Sequence, residues 1–563
     1  MENRRFILIA LLGVVLFFMY QAWQKDYGPK PEALLETTPS VSLADDVPVA
    51  GDPATGVPTV DAAGSGNGTG AARPGQDARI FFETDVFSGQ ISLIGGDLRR
   101  LDLKAYPVTK SQPDQPMTLL DDRGSHLFIV QSGLAGTSGA LVSHRTAFQS
   151  EQTRYQLADG ADTLDVVLSF RSEAGDQVRK IYRFKRGSYQ VDLIHEVEHA
   201  GADALQLSPY TRLQRTQYKA GDEPPFVATF TGVGFYEQKD GGHSYRFKKT
   251  SLGDLSKEAY ETQQTGGWIA MLQHYFVAAI LPPQDQVHRY SAKPAPNAGY
   301  AAQVVGPLVA IAPGAPQTLV TPLYLGPKLQ DRIADYAPGL ELTVDYGILT
   351  AISEPLFWLL SWLHKLTNNW GFAIILLTVL VKGAMYKLSE AQYRSMAKMK
   401  KFAPKIQDLK DRHGDDRERM QKAMMELYKK EGFNPLAGCW PLLVQFPVFI
   451  ALYWVLLESV ELRQAPFALW LQDLTSPDPY YVLPVLFGIS MFVQQKLSGS
   501  QVMDPMQQKI MNIMPIMLTA FFAFFQSGLV LYWFTSNLIG IAQQWVITRK
   551  LEREDAAKAA TKR

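Results

Sequence analysis

Lys382 is the side chain whose charge most needs an explanation. It follows the apolar run 371–381, and no acidic residue in that segment neutralises it. A cation at membrane depth costs about 3 kcal/mol or more on insertion scales. The lysine therefore either extends to the aqueous surface or lines a wet, positively charged cavity, open to the cytoplasm, that attracts acidic groups.

Polar side chains at helical spacing could complete such a cavity. Thr378 and Tyr386 lie four residues before and after Lys382, so a continuous helix would place all three on one face. Gln445, in a later apolar segment, could join them from a neighbouring helix. This set predicts an electrostatic binding site.

A second constellation matches the zinc-protease pattern H-E-x-x-H at residues 195–199. Zinc would need His195 and His199 on one helical face, one turn apart. Residues 189–194 instead alternate in polarity after a turn, which favours a strand, and four residues along a strand span about 13 Å. The pattern therefore predicts a polar strand edge in preference to a metalloprotease.

The chain offers little support for other catalytic classes. It has no Walker motif, no dinucleotide-binding glycine pattern and no plausible nucleophile triad, so we predict that it is not an enzyme and needs no cofactor or metal. Lys plus Arg and Asp plus Glu balance at 55 each, which predicts no direct nucleic-acid partner. The single cysteine, Cys439, excludes an intramolecular disulfide.

The first 345 residues predict an exported domain on a membrane anchor. Arg4 and Arg5 precede an apolar run without a small-residue cleavage site, so residues 1–24 read as an uncleaved signal anchor. Residues 25–78, rich in Pro, Gly and Ala, predict a flexible linker. Residues 79–345 show short runs of period two between turn residues, which predict a β-sandwich.

The remainder predicts a helical membrane core. Residues 350–368 suit an interfacial amphipathic helix, and 369–548 hold five apolar segments that, with the anchor, give about six transmembrane helices. The predicted spans are 370–386, 437–457, 480–493, 510–525 and 528–547. Two of them are short for a bilayer, which implies local membrane thinning.

Between the first two of these spans, residues 389–432 predict an antiparallel helical hairpin. Apolar side chains recur at helical spacing on both arms, either as a solvated hairpin or as a docking surface. They include Met396, Met399, Phe402, Met424 and Leu427. Basic residues are concentrated in this hairpin and in the tail 549–563, which places both, and the N-terminus, in the cytoplasm and the β domain in the periplasm.

Six short motifs lie between residues 350 and 547. They are NWGF (369–372), SMAKM (395–399), NPL (434–436), ELRQAPF (461–467), DPMQQK (504–509) and SGLVLY (527–532). Together they resemble the YidC family of bacterial inner-membrane protein insertases. The anchor, linker and β domain resemble the Gram-negative form of that family by layout.

The resemblance implies a fold and a function. It implies a multi-pass insertase and membrane chaperone, working alone or beside the Sec translocon, with a β-supersandwich outside and a groove open to the cytoplasm and lipid. Nascent membrane proteins would be substrates, membrane lipids a further partner, and the basic tail a candidate ribosome contact. A polytopic transporter and a membrane-tethered periplasmic binding protein remain the alternatives.

The resemblance also assigns groove positions. The usual groove arginine corresponds to Lys382, which keeps the charge but lacks the planar fork that binds a carboxylate through two hydrogen bonds. Substrate-contact positions of the family correspond to Phe449, Leu529 and Trp533. The last is tryptophan where tyrosine is common in the family.

Overall fold

The computed structural model describes residues 78–123, 126–137, 139–218, 230–239, 244–295, 299–413, 417–430, 440–498 and 505–561. The predicted anchor and nearly all of the predicted linker lie outside these ranges. So do the side chains of Met396, Met399, Phe402 and Met424, although their helices are described. The described chain forms an all-β domain followed by a helical region.

The larger sheet of the β domain has twelve strands within the described residues, in the order β14-β17-β18-β11-β5-β3-β2-β1-β7, with β4, β6 and β19 pairing off this path. All neighbours pair antiparallel except β1 and β7. The strands are β1 Arg79–Glu83, β2 Phe87–Ser92, β3 Leu98–Pro107, β4 Pro116–Leu120, β5 Phe128–Gly136, β6 Gly139–Val142, β7 Arg154–Gln156, β11 Leu205–Arg215, β14 Tyr260–Thr265, β17 Val287–Pro294, β18 Tyr300–Val305 and β19 Val309–Ile311.

The smaller sheet has eight described strands in the order β13-β12-β15-β16-β20-β10-β9-β8. They are β8 Thr163–Arg171, β9 Gln177–Lys185, β10 Gln190–Glu198, β12 Gly232–Gln238, β13 Tyr245–Ser251, β15 Trp268–Leu272, β16 Phe276–Ile280 and β20 Gln317–Pro327. A short helix, α1 Leu252–Leu255, follows β13. Apolar side chains from both sheets form one continuous core, so the domain is a β-sandwich.

The candidate zinc motif lies on β10. His195 pairs with Lys180 of β9, is 1% exposed, and burial lowers the pKa of its imidazole to about 3. His199 lies just beyond the strand, where its Nδ1 is 2.7 Å from Asp176 Oδ1. The motif therefore lies on a strand and its edge, as predicted, and not on one face of a helix. The described residues contain no cluster suited to a metal ion.

Next to His195, the sandwich encloses the side chain of Lys180. Lys180 is fully buried, and its Nζ donates to the Gly95 carbonyl at 2.8 Å. Burial lowers the pKa of Lys180 to about 8, and the nearby Asp97 carboxylate opposes that shift. Asp97 accepts hydrogen bonds from Arg99 and Gln131. These charges thus have fixed partners within the β domain.

The helical region contains eight described α-helices. They are α2 Thr350–Thr367, α3 Trp370–Ala384, α4 Tyr386–His413, α5 Arg417–Lys430, α6 Trp440–Glu458, α7 Val482–Ser498, α8 Pro505–Phe522 and α9 Ser527–Thr561. Asn369 caps the start of α3 by accepting from the Phe372 N–H. The bounds of the predicted spans and of the interfacial helix stay predictions.

Among the described helices, none alone combines the length and apolarity needed to cross a bilayer. The pair Trp370–Ala384 and Tyr386–Ser395 meets both conditions together, with a bend of 63° between its members.

The β domain docks onto the helical region at the end of α6. His274, in the turn after β15, lies with its Nε2 3.0 Å from the Leu457 carbonyl. The Gln330 backbone N–H donates to Glu461 at 2.8 Å, just beyond that helix. Gln464 in the following loop donates to the Pro107 carbonyl at 2.9 Å. Contacts from several parts of the β domain therefore fix this end of the helical core.

Candidate substrate groove

Lys382 lies in the last turn of α3, where its side chain is half-buried. No carboxylate of the described residues comes within the 4.0 Å of an ion pair. The helix ends two residues later at Ala384, and α4 leaves in a new direction. The structure thus presents a cation without an intramolecular counter-charge in the part of the chain that it describes.

The residues predicted to share one helical face with Lys382 do not form a continuous face in the structure. Thr378 is 1% exposed, and its hydroxyl donates to the Ile374 carbonyl at 2.7 Å. Tyr386 begins α4, beyond the bend, so the regular i, i+4 relation to Lys382 is interrupted. Gln445 is half-buried on α6. Their participation in substrate binding stays a prediction.

An aromatic cluster surrounds Trp533 on α9. Phe449 of α6 stacks on the indole, with 5.2 Å between ring centroids and 10° between planes. Phe522 approaches from α8 at 3.9 Å, and Phe487 of α7 lies at 6.2 Å. The indole Nε1 is buried and has no hydrogen-bond partner among the described residues. Trp533 therefore joins four helices through apolar ring contacts.

Helix α9 connects this cluster to Lys382. It packs against α3, α4, α6 and α7. Gln543 of α9 donates from its side-chain amide to the Lys382 carbonyl at 3.1 Å. Leu529, near the start of the same helix, is 2% exposed and belongs to the apolar core. The predicted positions on α3, α6 and α9 are thus parts of one helical assembly.

The two ends of α3 differ in packing. At the end near the β domain, a Cβ added to Gly371 would overlap the Phe467 ring, and the Asn369 amide donates to the Phe467 carbonyl. At the other end, a Cβ added to Gly383 would meet nothing within 4 Å. The start of α3 is therefore tightly packed, whereas its end has free space around Gly383, next to Lys382.

Two family models match the chain, one for each of its regions. Residues 79–359 match the YidC periplasmic domain, and residues 362–554 match the 60Kd inner membrane protein family. The membrane protein insertase YidC of Nitrosococcus oceani is 46% identical over 98% of this chain and 100% of its own length. The corresponding protein of Thioalkalivibrio sulfidiphilus is 44% identical over 98% of this chain and 99% of its own. The chain belongs to the YidC family of membrane protein insertases.

A solved structure of an active YidC insertase, with its first transmembrane domain resolved, covers 83% of this chain and 92% of its own at 17% identity, with a TM-score of 0.38. Family membership makes the protein an inner-membrane insertase with a periplasmic β-sandwich domain and a helical insertase core. The sequence-based predictions of family, fold class and general function are confirmed.

Some features of this YidC-family insertase were not found from its sequence. Phe487 and Phe522 were not distinguished from ordinary apolar residues, because only their packing against Trp533 marks them. The predicted basic tail 549–563 was given no secondary structure, and α9 continues into it as far as Thr561. An ion pair at 3.2 Å between Arg394 of α4 and Glu554 fixes that extension. Of the hairpin residues, Leu427 is half-buried on α5.

Proposed function

We propose that this insertase receives the acidic exported tail of a membrane-protein substrate at Lys382. The observation that carries the proposal is a half-buried cation that faces no carboxylate in the described chain, at the open end of α3. Desolvation strengthens the attraction between the ammonium group and an incoming carboxylate. The incoming carboxylate supplies the negative charge that Lys382 lacks within the described residues.

The apolar part of the substrate follows a different route. The hairpin 389–432 recruits the nascent segment in the cytoplasm, and the segment then slides along the apolar side chains of α6 and α9, including Phe449, Leu529 and Trp533. Transfer of its apolar surface from water into lipid, worth about 25 cal/mol per Å², drives completion. No covalent step is required, since the final state is held by the substrate's own hydrophobicity.

The wider assignment rests on orientation and on the family. Both termini are cytoplasmic, the protein assists folding and assembly as well as insertion, and it acts alone or beside the Sec translocon. The extension of α9 carries Arg549 and Lys550 at its exposed surface, which suits contact with lipid headgroups or the ribosome.

The test is insertion of a single-spanning substrate with a short acidic exported tail into liposomes that contain the purified protein. Lys382→Ala and Lys382→Glu should slow insertion at least about tenfold, a change of ~1.4 kcal/mol, whereas Lys382→Arg should retain most activity because it keeps the charge. Lys387→Ala is the matched control, since Lys387 is 91% exposed on the adjacent helix.

A second substrate separates electrostatics from packing. It carries Asn and Gln in place of the tail's Asp and Glu. All variants should insert this neutral substrate at similar rates. Equal insertion of the acidic substrate by all Lys382 variants would contradict the proposal and leave membrane thinning and the apolar contacts as the cause of insertion.

A further inference from the structure

The break between α3 and α4 lies directly after Lys382. Helix α3 ends at Ala384 and α4 begins at Tyr386, and the two axes meet at 63°. The Met385 N–H still donates to the Val381 carbonyl at 3.0 Å. In an uninterrupted helix the next bond would run from the Tyr386 N–H to the Lys382 carbonyl. Between these described residues that bond is not formed, so the carbonyl needs another donor.

Gln543 supplies that donor from α9. Its side-chain amide reaches the Lys382 carbonyl at 3.1 Å. Sharp bends in helices have local causes, such as proline or a side chain inserted into the hydrogen-bond ladder, and residues 381–386 contain no proline. In a membrane, a helix can be broken only where neighbouring groups satisfy the released backbone atoms. A glutamine from α9 at this carbonyl meets that condition.

The same helix holds the first turns of α4. The Tyr393 hydroxyl donates to the Gly540 carbonyl at 3.1 Å, and Arg394 pairs with Glu554 at 3.2 Å. Gly540, Gln543 and Glu554 thus contact the chain on both sides of the bend. Because Trp533 is also on α9, one helix carries the central residue of the aromatic cluster and the residues that contact the chain on both sides of the bend.

We propose that Gln543 is a positioning residue: its amide fixes the break after Lys382 and so sets the directions of the Lys382 side chain and of the cytoplasmic helix α4. The effect on insertion rests on the proposed function of Lys382. The effect on helix geometry is independent of that function, which allows the two ideas to fail separately.

The geometric test uses two spin labels in full-length protein in which Cys439 is replaced by serine. Phe372→Cys on α3 and Lys405→Cys on α4 are exposed attachment sites. At 1.5 Å per residue, a 63° bend places the two sites about 43 Å apart, against about 50 Å for a straight helix. Gln543→Met, which keeps the length but removes the donor, should lengthen or broaden the measured distance distribution.

Ala542→Met is the matched control, since it adds the same side chain at the neighbouring exposed position of α9. It should leave the distance unchanged. Gln543→Met should also slow insertion of the acidic-tailed substrate at least fivefold, whereas Ala542→Met should remain within twofold of the parent.

The outcomes separate the two ideas. A distance distribution in Gln543→Met that is unchanged in both mean and width would overturn the assignment whatever Lys382 does. A changed distance with normal insertion would overturn the claim that the bend positions Lys382 for substrate. A changed distance and slow insertion in Gln543→Met, together with normal insertion by Lys382→Ala, would support the role of the bend while rejecting the Lys382 proposal.

Discussion

Lys180 in the β domain and Lys382 in the helical core are both withdrawn from water, yet their surroundings differ. Lys180 donates to a backbone carbonyl and lies close to the Asp97 carboxylate. Lys382 is half-buried and has no ion-pair partner among the described residues. A buried charge with fixed partners belongs to the fold, whereas one without them is available to a ligand. The comparison supports the proposal that Lys382, and not Lys180, receives a substrate group.

The largest predicted effect tests that contrast directly. Lys180→Met should lower the free energy of unfolding of the β domain by about 3–5 kcal/mol, because it leaves the neighbouring polar groups buried without their partner. Lys382→Met should change stability by less than about 1 kcal/mol, because it removes a desolvated charge that the described fold leaves unpaired. Amide hydrogen exchange of β9 and α3, measured in each variant and in the parent, reports both effects. Similar losses of protection in the two variants would contradict the distinction.

The next effect concerns the junction between the two regions. Burial raises the pKa of Glu461 to about 7 from 4.5, although the hydrogen bond from Gln330 opposes the rise. Because this pKa is higher in the folded protein than in the unfolded chain, protonation of Glu461 stabilises the fold. The stabilisation is fully present below the unfolded pKa of 4.5 and is lost as the pH rises through about 7. Glu461→Gln should therefore match the parent near pH 3.5 and exceed it by up to about 3 kcal/mol near pH 8.5.

Chemical denaturation of both proteins in detergent across this pH range checks the prediction. The difference between parent and variant isolates Glu461 from its titrating neighbours. Lys328, whose pKa burial lowers to about 8, and His274, whose pKa burial lowers to about 3, are present in both proteins. A difference that does not change with pH would show that Glu461 does not titrate at the junction.

The smallest effect compares the two ends of α3. Gly371→Ala should destabilise the core by about 1–3 kcal/mol, because the new methyl group would overlap the Phe467 ring. Gly383→Ala should be neutral or stabilise by up to about 1 kcal/mol, since nothing lies within 4 Å and alanine favours a helix. Thermal unfolding in detergent measures both. A larger cost at Gly383 would contradict the open end beside Lys382.

Periodicity predicted those parts of the fold that depend on neighbouring residues. Alternation around His195 predicts a strand, and β10 occupies that position, paired on both sides. The apolar segments after residue 350 are helical for the same reason: their hydrogen bonds are local. The family was predictable because its motifs lie within short stretches of sequence.

The bend and the aromatic cluster depend on residues far apart in the chain. Gln543 lies 161 positions from Lys382, and residues 381–386 contain no proline that would specify a break of 63°. Likewise, Trp533 of α9 meets Phe449 of α6 only after these two helices have packed together. Sequence reasoning placed Tyr386 on the face of Lys382 because it assumed an unbroken helix. Tertiary contacts, which leave no local pattern, determine these features.

The docking of His274 at the end of α6 has a consequence for biogenesis. The carbonyl it faces belongs to Leu457, 183 residues later in the chain. A ribosome completes the β domain well before it synthesises α6, so the chain around His274 already exists when the end of that helix is added. The contact between them can therefore form only at a late stage of the protein's own assembly.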